Sequence, residues 1–202
     1  MTIIRTIEDL ESHYGQPGEA SLIKVTDRLT PGYRRLVEAS PLVILATSGP
    51  EGLDCSPRGD AGQAVRILDD QTLLMADRRG NNRMDSLRNI VRDGRVALLF
   101  LIPGSNTTFR VNGNAVVSVD PDLLTSLEME GNAPRSALRV TIREAYFQCA
   151  RAILRAALWD TIARIDAKTL PTAGELLKET EDSFDAAAYD RDWPARAKTT
   201  MW

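Results

Sequence analysis

The stretch "RVALLFLIPGSNTTFRVNGNAVVSV", Arg95–Val119, decides the class of fold. Val96–Ile102 is apolar at every position, as a strand with both faces covered would be. Pro103-Gly104 breaks the run. Thr107–Val119 then alternates. Phe109, Val111, Ala115 and Val117 fall on one face, and Arg110, Asn112 and Asn114 on the other. A parallel crossover needs a dozen or more residues. The few residues between these two strands predict antiparallel neighbours.

The same texture extends outward. Leu42–Ser48 is another apolar run, followed by a turn at Gly49-Pro50-Glu51-Gly52. A strand-like Leu53–Asp60 leads into Ala64–Leu68, a turn at Asp69-Asp70, and Thr72–Asp77. Downstream come a helix around Pro121–Met129 and a strand at Ala137–Gln148, with Leu138, Val140 and Ile142 alternating. Both ends read as helical. Residues 5–14 and 30–39 form short helices, the second with Thr30 as cap and Pro31 at the first helical position. After Cys149 come "ARAILRAALWD" and "AGELLKETEDSFDAAAY". No repeat or linker divides the chain. The pattern predicts one α+β domain over 1–202: N-terminal helices in 1–40, an antiparallel barrel of about six strands in 41–148, and a helical part in 149–202.

Composition narrows the function. The 202 residues carry a formal net charge of -3 and 5% aromatic residues, which disfavours general nucleic-acid binding. Cys55 and Cys149 belong to no CxxC pair and lie near no histidine, so neither a disulfide framework nor a zinc site is expected, and both read as small packed hydrophobes. His13 is the only histidine, on an early amphipathic helix, which leaves little basis for a Ser-His-Asp or Cys-His site. Glu8, Asp9 and Glu11 interrupt any signal-peptide pattern, and no apolar run approaches the roughly 20 residues a spanning helix needs. The expectation is a soluble cytoplasmic protein without a metal and without a membrane or nucleic-acid partner.

One segment runs against helix electrostatics. "DRRGNNRMDSLRNI", Asp77–Ile90, reads as a helix from Asn82, with Met84, Leu87 and Val91 on its buried face. A first turn normally gathers acids, because the helix dipole is positive there. Here the approach and first turn carry Arg78, Arg79 and Arg83. An anion would reverse the sign. Gly80 permits close approach, Asn81 and Asn82 can cap and donate, and Arg79 and Arg83 can supply charge-assisted bonds. The alternative is a solvated turn with Asp77 and Asp85 as partners. Neither a P-loop nor a GxGxxG fingerprint is present. In "CSPRGD" (Cys55–Asp60), Pro57 and Gly59 point to a bulge or a close backbone approach, or to an ordinary edge. "FRVNG" puts Arg110 and Asn112 on one strand face, toward either a ligand or solvent.

These runs together resemble the pyridoxamine 5'-phosphate oxidase-like, FMN-binding split-barrel proteins, from about Leu42 to Asp160. The similarity is greatest to a bacterial subgroup of FMN-dependent enzymes with runs like "SPRGD", "DRRGNNRMDSLRNI", "FLIPG", "FRVNG" and "EAYFQCARAILRAALWD". The resemblance implies a six-stranded split barrel, FMN as cofactor, and a homodimer with flavin at the interface. It places the FMN phosphate on Asn81, Asn82 and Arg83, with Arg79 compensating where Asn82 replaces a customary arginine. It sets Ser56 and Arg58 beside the flavin ring with Asp77 nearby. Arg110 and Asn112 would contact flavin, often from the other subunit. The vitamin-converting oxidases end in an Arg-x-His strand that this chain lacks. The implied activity is therefore FMN-dependent oxidoreduction of another small molecule, the flavin carrying the electrons and no side-chain nucleophile being required. A non-catalytic flavin or haem carrier on the same barrel is the alternative.

Overall fold

The computed structural model describes residues 3–161 and 164–200. Seven strands form one sheet: β1 Leu42–Gly49, β2 Gly52–Gly59, β3 Arg66–Ile67, β4 Thr72–Asp77, β5 Arg95–Leu101, β6 Thr108–Ser118 and β7 Ser136–Gln148. Their order is β2-β1-β5-β6-β7-β4-β3, and every pairing is antiparallel. The expected count of six is thus corrected to seven. The segment around Cys55–Asp60 is a regular strand with no bulge, paired residue by residue with β1 from Gly49 opposite Gly52 to Leu42 opposite Gly59. Pro57 is tolerated because β2 is an edge strand, where a missing N–H has no neighbour to disappoint.

The irregularity lies elsewhere. Between β6 and β7, Asn112 faces Glu144 but Gly113 faces Ile142, so β7 carries one extra residue, Arg143. A Cβ on Gly113 would come within 2.2 Å of the Thr141 carbonyl oxygen, and only glycine permits the strands to cross so closely.

One ion pair reveals the curvature of the sheet. Arg58 on β2 donates to Asp77 at the end of β4 over 3.1 Å. Those strands are five places apart in the sheet, which in a flat sheet would separate them by about 24 Å. The sheet therefore curls until its first and sixth strands nearly meet. The enclosed face is the core, with Val43, Leu45, Leu98, Phe100, Phe109, Val111, Leu138 and Val140 at 1% exposure or less. The predicted alternation of β6 holds: Phe109, Val111 and Ala115 are buried, while Arg110, Asn112 and Asn114 face outward.

The described residues include eight α-helices: α1 Ile7–His13, α2 Glu19–Ile23, α3 Pro31–Glu38, α4 Asp85–Arg92, α5 Pro121–Ser126, α6 Arg151–Arg155, α7 Ala173–Thr180 and α8 Ala186–Thr200. Thr30 caps α3 by accepting from the Tyr33 N–H, and Tyr33 packs on Phe109 with ring centroids 4.9 Å apart. The expected packing of the cysteines is overturned, since Cys55 and Cys149 are both exposed. Cys55 alternates with the inward Asp54 and Ser56 on β2, and so is turned outward.

Candidate functional site

The chain leaves β4 at Asp77 and does not enter α4 until Asp85. The expected helix start at Asn82 fails because Asn82 (φ 59°) and Met84 (φ 61°) are both left-handed. Left-handed backbone suits asparagine but strains a methionine. The first helical residue is thus an acid, Asp85, as the dipole requires. The three arginines belong to the loop ahead of it. The expected buried face is also corrected. Met84 and Val91 are exposed, and α4 buries Ser86, Asn89 and Ile90, with Leu87 partly covered. The surface beneath it is polar and close. Asn89 donates to Thr47 on β1 at 3.1 Å, and a Cβ on Gly49 would lie 2.3 Å from the Asn89 side-chain oxygen.

The arginines separate by partner. Arg78 turns inward. Its Nε and Nη2 donate to Asp60 at 2.9 and 2.6 Å, and its Nη1 donates to the Leu127 carbonyl at 2.8 Å. With side-chain exposures of 13% and 9%, Arg78 and Asp60 bolt the loop to the end of β2 and to the residues following α5. Arg83 pairs with Asp85 at 2.8 Å in solvent, 75% exposed. Arg79 is exposed and is in no ion pair among the described residues.

Across the loop, the alternation of β2 aims Asp54, Ser56 and Arg58 to one side. Arg58 Nη1 donates to Asp77 and Nη2 to the Ser86 hydroxyl, each at 3.1 Å. Asp54 accepts from both Ser56, at 2.9 Å, and Ser86. Burial pushes the Asp77 carboxyl above its ordinary value, and the neighbouring Arg58 and Arg135 guanidiniums and the Ser136 hydroxyl only partly offset this. Arg58 Nε is a buried donor without a partner. Such a group costs free energy until an acceptor reaches it.

These groups open on a cleft of about 210 Å³ lined by Arg58, Asp77, Arg79, Gly80, Asn82 and Arg135, among others. Met84, at the N-cap of α4, also lines it, and no side chain caps that helix. The site therefore offers a helix N-terminus, guanidiniums and one orphan donor to an anion. A hollow of about 480 Å³ adjoins along Pro57–Asp60 and shares Arg58, Arg79 and Gly80.

Of the residues singled out from sequence, Arg58, Asp77, Arg79, Asn81 and Asn82 line the cleft, and Ser56 joins through Asp54. The asparagines do not cap α4. Asn81 accepts from the Arg83 N–H at 3.1 Å, and Asn82 accepts from Arg135 at 3.0 Å. Arg83 is not among the lining residues. Arg110 and Asn112 stand on the opposite face of the sheet. Arg110 pairs across β5 with Leu99, which pairs across β1 with Ile44, on the outward side with Pro57. There Arg110 donates to the Tyr146 hydroxyl at 3.2 Å and Asn112 to Glu144 at 2.9 Å. Asp54 and Ser86 were missed, although Asp54, Ser56 and Arg58 recur with the strand period of two. Arg135 carries no local signal, since only pairing of β4 with β7 brings it here. The described residues contain no cluster of three or more His, Cys, Asp or Glu able to hold a metal, and no helix long and apolar enough to cross a membrane.

The family model for pyridoxamine 5'-phosphate oxidase matches residues 29–149, more than half of the chain. No curated protein matches the sequence. Among solved structures, a Lactobacillus delbrueckii protein ascribed to the pyridoxamine 5'-phosphate oxidases is 26% identical, covers 60% of this chain and 95% of its own, and has a TM-score of 0.49. HupZ of Group A Streptococcus is 15% identical with a TM-score of 0.49, covering 59% of this chain and 93% of its own. An FMN-binding protein of Syntrophomonas wolfei is 15% identical with a TM-score of 0.40, covering 57% and 88%.

Proposed function

The chain belongs to the pyridoxamine 5'-phosphate oxidase family, and from that membership together with the cleft we propose that it is an FMN-dependent oxidoreductase acting on a small molecule. The observation that carries this reading is the uncapped start of α4, opening into a cleft lined by Arg58, Arg79 and Arg135. That arrangement suits a phosphate dianion. The backbone N–H groups of the first helical turn and the exposed Arg79 can donate to its oxygens, and Arg58 offers the unpaired Nε. When bound, the flavin supplies the electron chemistry. The chain supplies position and field: Arg58 is held by Asp77 and Ser86, and Asp54 holds Ser86 in turn.

The same reading makes the protein a homodimer. Leu42 and Ile44 of β1 and Leu101 and Leu99 of β5 face each other on the outer side of the sheet and are only half buried. Arg110 and Asn112 flank this apolar strip and cannot serve the cleft of their own chain, which lies on the other face. A second subunit would cover the strip and bring that polar pair to its neighbour's flavin. Pyridoxamine phosphate is not the proposed substrate, since the sequence lacks the Arg-x-His motif of the vitamin-converting oxidases.

The visible spectrum of the purified protein, followed by titration, tests the proposal. Two flavin bands and tight binding of FMN, with riboflavin much weaker, are expected. Equal affinity for riboflavin would remove the phosphate from the argument. A Soret band would favour the haem-carrier reading, for which the sequence offers only His13, exposed on α1.

A further inference from the structure

The C-terminal helix α8 lies outside the residues matched by the family model, yet it walls a second cleft against the arginine loop. This cleft is about 670 Å³, large enough for more than a simple anion. Its floor is the Arg79–Asn82 turn with Arg135, and its wall is one face of α8, with Tyr189, Trp193 and Arg196 at successive helical turns. On its other side α8 is tied to α7 and its cap. Asp190 accepts from the Thr172 hydroxyl and from the Gly174 N–H at 2.9 Å, and a Cβ on Gly174 would sit 2.5 Å from the Ala186 carbonyl.

The charge of this cleft is one-sided. Arg79, Arg135 and Arg196 all line it, no aspartate or glutamate does, and none of the three is in an ion pair among the described residues. Arg196 lies 4.4 Å from the Tyr189 ring centroid and 5.3 Å from that of Trp193, which orients its guanidinium without consuming its N–H donors. Trp193 remains 52% exposed beside them. Arg135 also faces Asp77 and donates to Asn82, but three guanidiniums lining one cleft without a carboxylate among its walls still suit more than one negative charge, and the aromatic wall suits a flat ring.

We propose that the cleft between α8 and the Arg79–Asn82 turn binds a nucleoside diphosphate unit, its diphosphate on Arg79, Arg135 and Arg196 and its base against Trp193 and Tyr189. The site shares Arg79 and Arg135 with the proposed flavin cleft, each guanidinium having N–H donors enough for both ligands, while Tyr189, Trp193 and Arg196 are its own, and it does not depend on the flavin reading.

Calorimetric titration with ADP, pyrophosphate and adenosine, on the full chain with and without saturating FMN, tests this. ADP should bind in both conditions, more tightly than pyrophosphate, with adenosine weakest. Arg196→Ala should weaken ADP roughly ten- to a hundredfold and Trp193→Ala by roughly fivefold or more. Neither should change FMN affinity or the circular dichroism. Arg191→Ala, on the same helix but paired with Asp192 away from the cleft, should bind ADP as wild type does. Displacement of ADP by FMN, equal binding of pyrophosphate and ADP, or an unchanged affinity in Arg196→Ala would each overturn the proposal.

Discussion

Replacing Arg78 by alanine should cost far more stability than replacing its neighbour Arg79. Arg78 donates twice to the Asp60 carboxylate and once to the Leu127 carbonyl, in a setting where the Arg78 and Asp60 side chains are 13% and 9% exposed. Truncation leaves Asp60 desolvated and without its cation, for which about 3–5 kcal/mol is expected. At roughly 2–4 °C per kcal/mol for a chain of this size, the melting temperature should fall by about 6–20 °C. Arg79 is exposed and outside any ion pair among the described residues, so Arg79→Ala should stay within about 0.5 kcal/mol of wild type. Urea unfolding of wild type, Arg78→Ala, Asp60→Ala and the double variant closes a cycle that isolates the pair. The double variant should be less destabilised than the sum of the singles, because no unpaired charge remains. An Arg78→Ala variant no less stable than Arg79→Ala, or strict additivity in the cycle, would refute the division of the loop into one structural and one ligand-facing arginine.

Flavin affinity should show the reverse order. Arg79→Ala is expected to weaken FMN about ten- to a hundredfold, and Arg83→Ala less, because Arg83 pairs with Asp85 outside the cleft; equal losses in fluorescence titration would restore Arg83 to the site. For assembly, light scattering over a dilution series should show a dimer that FMN strengthens by mass action, and a monomer binding FMN at full affinity would exclude a shared site. The Asp77 carboxyl, raised by burial above the ordinary 3.8, favours the native state while protonated. That contribution is complete below the unfolded value and is lost as pH rises through the raised native value. The stability of Asp77→Asn relative to wild type should therefore improve as pH is raised from about 3.5 to 7, and a decline in denaturation experiments would contradict the burial argument.

Local rules made much of this protein legible. The alternation of Phe109, Val111 and Ala115 against Arg110 and Asn112 reports the two faces of β6, because side chains of a strand must alternate whatever surrounds them. Short connections imposed antiparallel pairing. Thr30-Pro31 marked the start of α3 through capping chemistry confined to four residues. The cluster of polar residues at Asp77–Arg83 stood out because it opposed a helix dipole, and much of it does line a cleft.

Tertiary structure decided the rest. Arg78, Arg79 and Arg83 are the same residue type within six positions, yet one is turned inward onto Asp60, one lines three cavities and one lies in solvent. That choice depends on where β2 arrives after the sheet has curled. The onset of α4 slipped to Asp85 because Asn82 and Met84 are left-handed, a cost sustained by the packing around the loop and invisible to periodicity. Its buried face turned to Asn89 because the hairpin beneath presents Thr47 and a bare Gly49. Arg135 and Arg196 reach the loop from more than fifty and more than a hundred residues away. Sequence patterns report what a residue does to its own few neighbours. Which distant side chains share a cleft follows only from closing the sheet, since burial, pairing and electrostatic field are properties of the assembled surface and not of the segment.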